Sequence, residues 1–218
     1  MAEGVKVHAT NKDGETKLHL AAEFGNLEMV EFLVAKGVNV HAANKDGNTV
    51  LHWVAKSGNL EMVKFLVAIG AKVNATNKDS DTVLHWAAKS SNLDMIKFLV
   101  AKEFANLDVV EFLVNKGAKA DATTRDGETI LHRAMGSGDL DMVQFLVARG
   151  AKVNATTKNG DTILHRAVVS GNLDMVEFLV AKGANINATN KNVDTVLQTA
   201  VLYSYFHIVQ FLVAKGAN

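Results

Sequence analysis

The chain repeats a pattern of about 33 residues, and each repeat contains two runs of apolar side chains with the spacing of a helix. One such stretch runs from Asp46 to Lys78. In it, Leu51, Val54 and Ala55 fall at positions i, i+3 and i+4, which predicts one apolar face on a short helix. A wider apolar stripe follows, made of Leu60, Val63, Phe65, Leu66 and Val67. This stripe predicts a second helix that is mostly buried.

Polar residues mark where these helices begin and end. Thr49 stands where it can cap the first helix, and Asn59 stands where it can cap the second. The pair Asp46-Gly47 is a turn signal. Gly70 follows the second helix and is able to adopt the left-handed conformation that ends many helices. Each stretch therefore predicts a turn, a short helix, a longer helix and an extended return.

The same pattern returns at a fixed period. The segment from Asp13 to His19 reappears from Asp46 to His52. Related turns begin at Asp79, Asp126, Asn159 and Asn192. A period of this length predicts stacked supersecondary repeats. A single repeat cannot bury both of its apolar faces, so each one needs its neighbours.

Read together, the residues of one repeat resemble the ankyrin repeat. The signature is Thr-x-Leu-His-x-Ala-Ala, then Gly-Asn-Leu-Glu-Met-Val-Glu-Phe-Leu-Val-Ala-Lys-Gly, then Asn-Ala, and it covers nearly the whole chain. The resemblance implies an all-α fold class, an α-solenoid of helix–turn–helix repeats with β-hairpin-like turns. Ankyrin repeats usually carry Pro after the Thr, where this chain has Lys17, Val50, Val83, Ile130, Ile163 and Val196. Pro at the first helical position is pre-organised but not required, so we expect an unchanged fold with some loss of stability.

One interval breaks the period. Thr82 and Thr129 are 47 residues apart, and two second-helix patterns begin between them, at Leu93 and Leu107. Ala105 replaces the Gly that would break a helix there. The excess of 14 residues is close to four helical turns, so the apolar stripe nearly stays in register. The sequence therefore predicts one long helix near residues 92–116. The alternative is a break near residues 103–106 within a continuous stack.

This long helix divides the predicted array into two blocks, residues 1–102 and 103–218. The first block holds a partial repeat and three repeats, of which the third lacks its extended return. The second block begins with a second helix that has no first helix of its own, followed by three repeats. Either the blocks pack at a changed angle, or an apolar strip is left for another chain, since exposed strips of that size mark interfaces.

The last repeat diverges most from the pattern. Gln198 replaces the recurring His, Ser204 replaces a Gly, and Tyr205 stands where the other repeats place the capping Asn. Two interpretations stay open: an aromatic patch used for association, or rings that pack on the preceding repeat. The candidates for self-association lie on the long helix and in this last repeat, and they are Phe104, Val109, Tyr203, Tyr205 and Phe206.

The first helices carry the candidate binding residues. If Leu51 faces the core, Trp53 points about 200° away from it. Trp and Arg are enriched among residues that dominate binding energy. The resemblance implies that this side lines a concave groove in which partners bind. The alternative is that each Trp lies across its neighbouring repeat as framework. The candidate set is Leu20, Phe24, Trp53, Lys56, Trp86, Lys89, Arg133 and Arg166.

Composition excludes several kinds of partner. The chain has 23 Lys and Arg against 23 Asp and Glu, a net charge of +0, so it has no general attraction for nucleic acid or anionic lipid. No apolar run approaches the roughly 20 residues of a membrane span, and the first residues lack the apolar core of a signal peptide. We therefore predict a cytoplasmic protein that binds neither nucleic acid nor membrane.

No constellation for catalysis stands out. The chain has no Cys, Gly-rich phosphate loop, nucleophile elbow or zinc-protease motif. Equivalent side chains of stacked repeats lie about 10 Å apart, whereas the ligands of one metal lie about 2 Å from it. The recurring histidines, His19, His52, His85, His132 and His165, therefore predict no metal site. We expect no enzyme activity and no cofactor. The resemblance implies that each His hydrogen-bonds within the turn network near its Thr.

The leading hypothesis is a non-enzymatic module that binds a partner protein or peptide. Two alternatives stay open. One is a self-associating structural protein, such as a homodimer. The other is the targeting array of a larger bacterial effector or toxin, which an intracellular bacterium would deliver into a host cell.

Overall fold

A computed structural model describes residues 9–89 and 105–218. Within these residues the backbone forms α-helices joined by turns, and its only β-structure consists of isolated bridges. The helices are α1 (Lys17–Glu23), α2 (Leu27–Ala35), α3 (Val50–Ser57), α4 (Leu60–Ala68), α5 (Val83–Lys89), α6 (Ala105–Asn115), α7 (Ile130–Met135), α8 (Leu140–Ala148), α9 (Ile163–Val169), α10 (Leu173–Ala181), α11 (Val196–Leu202) and α12 (Phe206–Ala214). The predicted all-α repeat fold is confirmed.

Odd-numbered helices are the first helices of the repeats, and even-numbered helices are the second. The predicted caps are present. The side chain of Thr162 accepts a hydrogen bond from the backbone N–H of His165, and Asn172 accepts one from Met175. These bonds satisfy backbone donors that the first turn of a helix leaves without partners. Sequence alone therefore located the beginning of nearly every described helix.

The turns between repeats are tight hairpins closed by single antiparallel bridges, such as the bridge between Ala43 and Thr49. The side-chain oxygen of Asn44 organises its turn by accepting from the backbone of Asp46 and Asn48. Adjacent turns are also joined, because the N–H of Lys78 donates to the carbonyl of Asp46 at 2.9 Å. The predicted hairpin-like turns are thus bonded to one another along each stack.

The core lies between the helices of adjacent repeats. Leu51, Val54 and Ala55 of α3 are buried, as the spacing predicts. On α4 the buried side chains are Met62, Val63 and Leu66. The predicted stripe placed Leu60, Phe65 and Val67 there as well, but these three are only half-buried. Met62 lies deeper than they do because the preceding repeat covers its side of the helix.

The described residues group into two compact units. The N-terminal unit contains residues 9–89 and 105–119, and the C-terminal unit contains residues 120–218. Within the N-terminal unit, α6 packs on α5 and α4. Asn74 donates to the carbonyl of Gly117 at 3.0 Å and accepts from the N–H of Lys119. Asn154 makes the same pair of bonds to Gly183 and Asn185.

Helix α6 therefore occupies the second-helix position of the third repeat. This differs from the expectation that residues after 103 would have no first helix to pack on. Residues 92–104 of the predicted long helix lie outside the described residues, and so does the predicted boundary between residues 102 and 103. The long helix and the division into two blocks therefore stay predictions.

Candidate protein-binding surface

The outward sides of the first helices and the adjoining turn tips form what we call the first-helix surface. The first helices α1, α3, α5, α7 and α9 bury their Leu, His and small apolar residues, so the residue after the His is turned away from the core. In α3 and α5 that residue is Trp53 and Trp86, and both are half-buried. Position on the helix was therefore predictable from spacing, as was the choice of Trp as the prominent side chain.

The two Trp side chains contact each other across adjacent repeats. Their ring centroids lie 5.5 Å apart with the planes at 69°, which is an edge-to-face arrangement. Trp86 also meets the ring of His52 edge to face at 5.7 Å. Such aromatic pairs contribute about 0.5–1.5 kcal/mol beyond the area that they bury. Each Trp is thus part of the packing between repeats and also partly open to solvent.

The Trp53–Trp86 pair has two further features, a nearby Lys ammonium and a buried indole N–H. The ammonium of Lys56 lies 5.8 Å from the Trp53 ring centroid and 5.7 Å from that of Trp86. The indole N–H of Trp53 is buried and has no hydrogen-bond partner among the described residues. A buried N–H without an acceptor costs free energy.

The remaining candidates of the N-terminal unit differ in exposure. Phe24 is 83% exposed, Lys89 is exposed, and Leu20 is half-buried. A shallow apolar pocket of about 390 Å³ lies on the first repeat, lined by Lys17, Leu20, Ala21, Phe24, Asn26, Met29 and Leu33. Leu20 and Phe24 therefore belong to one apolar depression.

In the C-terminal unit the same helix position carries charge. The Arg133 guanidinium Nε lies 2.9 Å from one carboxylate oxygen of Glu128, and an Arg166 nitrogen lies 2.7 Å from the other. The Arg133 side chain is only 22% exposed, whereas that of Arg166 is 43% exposed. Glu128 therefore holds both cations in place, and Arg166 keeps more of its surface for a partner.

The role of Glu128 was not foreseen, because a carboxylate at a turn tip gives no sequence signal for pairing with the first helices. It accepts two charge-assisted bonds because the turn tip of one repeat lies beside the first helices of its own and the following repeat. The spacing between Glu128 and Arg133 gives no helical signal, so only the fold brings the three side chains together.

A larger cleft of about 560 Å³ lies on the first-helix surface of the last two repeats. Its lining combines the polar turn tips with exposed apolar side chains, and it consists of Asp161, His165, Arg166, Val169, Asn190, Asp194, Gln198, Thr199, Leu202 and Tyr203. Arg166 thus borders a concave site. Leu202 occupies the helix position of Lys56 and Lys89 on the first-helix surface, and it is 79% exposed.

The recurring histidines hold the repeats together. The backbone N–H of Thr16 donates to Nδ1 of His19, which places the ring proton on Nε2. That nitrogen lies 3.1 Å from the carbonyl of Asn48 in the next repeat and donates to it. His132 and His165 bond in the same way to the carbonyls of Asp161 and Asp194.

Burial favours the neutral form of three of these rings, His19, His52 and His132. Loss of solvent lowers the pKa of His52 and of His132 to about 4, against the raising effect of the hydrogen-bonded carbonyl, and it also lowers the pKa of His19. The described residues contain no group of three or more His, Cys, Asp and Glu arranged to hold a metal ion. His19, His52 and His132 are therefore neutral bridges between repeats.

The self-association candidates fall into three environments. Val109 is fully buried, because α6 packs on α5 and α4, so it presents no surface to another chain. Tyr205 is half-buried and packs its ring over Gly171 of the preceding repeat. Tyr203 and Phe206 are 46% and 65% exposed, and Tyr203 stacks on the Tyr205 ring with centroids 5.9 Å apart. Phe104 lies outside the described residues.

Comparison with known proteins identifies the family. A family model described as ankyrin repeats (three copies) matches residues 1–77, 18–106, 100–190 and 157–218. No curated protein matches the chain. None of the helices in residues 9–89 and 105–218 is long and apolar enough to cross a membrane. The chain belongs to the ankyrin repeat family, whose members are typically non-enzymatic modules of protein–protein interaction.

Proposed function

We propose that this chain is a non-enzymatic module that binds a partner protein or peptide on its first-helix surface. The observation that supports this best is the Trp53–Trp86 pair. Two large aromatic side chains from adjacent repeats meet there, each half-exposed, with the Lys56 ammonium beside both rings. Clusters of this kind dominate the energy of protein interfaces because they lose water over a large rigid area.

The chemistry of the pair indicates what it would hold. An apolar or aromatic partner side chain packs on the open indole faces, and a neighbouring partner carboxylate pairs with Lys56 or Lys89. Leu20 and Phe24 extend the apolar part toward the first repeat. Arg133 and Arg166 offer a second, charged contact area in the C-terminal unit, beside the cleft of about 560 Å³.

The proposal involves no catalytic step and no cofactor. We place the protein in the cytoplasm, bound to neither nucleic acid nor membrane. The same surface would also suit the targeting array of a larger bacterial effector or toxin that is delivered into a host cell. It would change where the module acts but not how it binds.

A second candidate function, self-association, is favoured by the last repeat. Tyr203 and Phe206 remain exposed there although both are aromatic. Two copies that pair their last repeats symmetrically would cover these rings, as a twofold homodimer does. This candidate uses a different part of the chain from the Trp53–Trp86 pair.

A displayed peptide library tests the leading proposal. Peptides are selected on the wild-type chain alone, and their affinities are then measured for the wild type and for the double variant Trp53→Ala/Trp86→Ala. Both Trp residues of the sequence lie in this pair, so the intrinsic fluorescence of the protein reports binding at the site directly. We expect the double variant to weaken binding of the selected peptides at least about 30-fold, equivalent to about 2 kcal/mol.

Matched variants separate binding from folding. Trp53→Phe/Trp86→Phe keeps two packed rings and should retain more affinity than the alanine pair, and circular dichroism must show the same helix content for all. Arg166→Ala changes the equivalent helix position in the C-terminal unit and shows whether a loss of affinity is particular to the Trp pair. If peptides selected on the wild type bind the folded alanine pair equally well, the Trp pair is framework and the proposal fails.

A further inference from the structure

One turn-tip carboxylate of the C-terminal unit is matched by two arginines, and the next one is not. Glu128 accepts from Arg133 of its own repeat at 2.9 Å and from Arg166 of the following repeat at 2.7 Å. Asp161 occupies the position of Glu128 one repeat later. The same arrangement would offer it Arg166 and residue 199, but Arg166 is already bound to Glu128 and residue 199 is Thr. Asp161 therefore lacks the cation that the following repeat supplies to Glu128.

Thr199 does not take the place of an arginine. Its hydroxyl donates to the carbonyl of Thr195 in the same helix at 3.0 Å, so this donor does not serve Asp161. Its side chain is also much shorter than that of arginine. The cleft of about 560 Å³ lies between the two, since Thr199 and Asp161 both line it. The cleft therefore occupies the space that the guanidinium of an arginine at position 199 would fill.

A second carboxylate borders the same cleft. The side-chain amide nitrogen of Asn190 donates to Asp161 at 3.1 Å and to Asp194 at 3.4 Å, so one neutral group lies between two carboxylates. The amide oxygen accepts from the backbone N–H groups of Asn192 and Asp194, which fixes its direction. Among the described residues, no Lys or Arg forms an ion pair with either carboxylate. Two like charges held this close favour a cation beside them.

The other polar groups of the cleft do not cancel this negative charge. Arg166 lies at its border, but Glu128 offsets the Arg166 charge at 2.7 Å. His165 is bonded at both ring nitrogens, because it accepts from the Thr162 N–H and its other nitrogen lies 3.2 Å from the carbonyl of Asp194. The cleft therefore attracts positively charged groups.

The remaining wall of the cleft suits the stem of a long cationic side chain. Leu202 and Tyr203 line it and are 79% and 46% exposed. Lys and Arg cover such apolar surface with their methylene groups while the charged end stays among polar groups. A guanidinium also stacks on an aromatic ring, and its planar fork can bond two carboxylates at once, whereas an ammonium is a compact point charge. Two carboxylates with a ring beside them favour arginine.

The equivalent place in the N-terminal unit has different chemistry. Asn48 stands in the position of Asp161 and accepts from the side chain of Asn77 at 2.9 Å. Trp86 stands in the position of Thr199 and fills the space beside it. A neutral amide next to a large ring offers no site for a cation. The features that favour arginine are therefore particular to residues 157–203.

We propose that this cleft binds an arginine side chain of the partner. The guanidinium lies between the carboxylates of Asp161 and Asp194, where the following repeat supplies no cation of its own. The methylene stem packs along Leu202 and Tyr203. This inference rests on the proposed function, because it names a chemical feature of the same partner. The Trp pair takes an apolar side chain with an acidic neighbour, whereas the cleft of the C-terminal unit takes a basic one.

Three blocked tripeptides test the assignment, each with glycine on both sides of arginine, lysine or citrulline. Citrulline has nearly the shape of arginine without its charge. Binding to the full, isotopically labelled chain is followed by NMR through the side-chain amide of Asn190 and the backbone amides of residues 194–203. We expect the arginine peptide to bind with a Kd on the order of 1 mM, about tenfold more tightly than the citrulline peptide. The lysine peptide should bind about threefold more weakly than the arginine peptide.

Two variants remove the site in different ways. Thr199→Arg fills the cleft with a guanidinium from the chain itself, so the arginine peptide should bind at least about tenfold more weakly. Asp161→Asn removes one charge and recreates the pair that Asn48 and Asn77 already form, so it should fold normally and weaken binding about fivefold. Glu177→Gln removes the same charge from an exposed position on the second helix of this repeat and should leave binding unchanged.

The NMR spectrum of each variant also reports whether it is folded. The proposal is overturned if the citrulline or lysine peptide binds as tightly as the arginine peptide. It is also overturned if no peptide shifts these signals at about 10 mM, or if Thr199→Arg and Asp161→Asn bind as Glu177→Gln does.

The result is separable from the test of the proposed function. The double variant Trp53→Ala/Trp86→Ala should bind the arginine tripeptide as the wild type does. If the selected peptides lose affinity for that variant while the tripeptide fails to bind the wild type, the proposed function stands and the arginine site alone is rejected. The converse result would reject the Trp pair as the binding site and retain the arginine site.

Discussion

The repeat at residues 157–189 and the last repeat, at residues 190–218, follow one backbone path with different residues. Both open with a bridged turn, and both cap the first helix with a Thr. His165 completes the cap in one, and Gln198 completes it in the other by accepting from the Thr195 N–H at 2.7 Å. Two chemically different side chains thus serve the same backbone group.

The two repeats differ at positions where the local backbone favours glycine or a capping residue. Gly160 becomes Val193 and Gly171 becomes Ser204, yet φ stays positive at both positions. The N-cap Asn172 becomes Tyr205, which makes no capping bond and packs its ring over Gly171. The last repeat therefore holds its conformation through contact with the repeat before it, and its own sequence contributes less.

The comparison shows that a glycine in this fold answers two separate needs. One is the left-handed backbone, which Val193 and Ser204 satisfy at a cost in strain. The other is room for a neighbour, which Gly160 meets because the next turn lies 3.0 Å from where its Cβ would be. Val193 is 72% exposed, so its side chain meets no such restriction.

Lowering the pH should produce the largest difference in stability between repeats with a buried His and the last repeat, which has Gln198 instead. The folded pKa of His52 and His132 is about 4, below the ordinary 6.5, so the unfolded chain binds more protons between pH 6.5 and 4. The free energy of unfolding is then fully present above pH 6.5 and decreases as pH falls through this window, by about 3 kcal/mol for each His. Urea unfolding at pH 7 and pH 4 measures the loss.

His132→Gln copies the solution of the last repeat and isolates this effect from the carboxylates, which titrate in both proteins. The stability difference between wild type and variant should shift by about 3 kcal/mol in favour of the variant on going from pH 7 to pH 4. A difference that is constant with pH would show that the buried His is not the source.

Exchanging the turn residues should have the next largest effect. Gly160→Val combines a strained φ with a Cβ only 3.0 Å from the Lys191 nitrogen, so we expect a loss of about 3 kcal/mol or more. Val193→Gly removes the strain and has no neighbour to accommodate, so it should stabilise by about 1 kcal/mol. Thermal unfolding of dilute monomers checks both. Equal and opposite changes would mean that backbone strain alone matters.

A smaller effect should distinguish Gly171 from Gly138, which occupies the same turn one repeat earlier. An added Cβ at Gly171 would meet the Tyr205 ring at 2.8 Å, whereas at Gly138 it would meet nothing within 4 Å. Gly138→Ala should cost about 1 kcal/mol from its positive φ, and Gly171→Ala about 1 kcal/mol more. Tyr205→Ser in the Gly171→Ala background should recover the extra loss. Without that recovery, the Tyr205 ring would not be the contact that matters.

Much of the fold was readable from short segments of sequence. The Thr and Asn caps, the turn glycines and the apolar spacing fix each repeat, because these signals act over a few residues. The family signature then gave the bonding of the recurring histidines. The outward direction of Trp53 followed from the helical angle. Its contact with Trp86 did not, because ring orientation depends on how closely two repeats approach.

In the irregular interval between Thr82 and Thr129, short-range sequence signals were not sufficient to predict the packing. Spacing alone treated the segment after residue 103 as a helix without a partner. The bonds of Asn74 to Gly117 and Lys119 place α6 on α5 instead. Those partners are 43 and 45 residues from Asn74, so no local pattern encodes the choice. For the same reason the burial of Val109 and the convergence of two Arg on Glu128 were not foreseen.

The amino-acid sequence by itself determined the repeat, its helices, its caps and the side chains that face away from the core, since each depends on neighbours close in the chain. Tertiary structure alone decided which helix fills the third repeat, which of those side chains meet, and which turn residues touch another repeat. Those outcomes depend on the separation of whole repeats, and packing sets that separation through contacts that no single repeat contains.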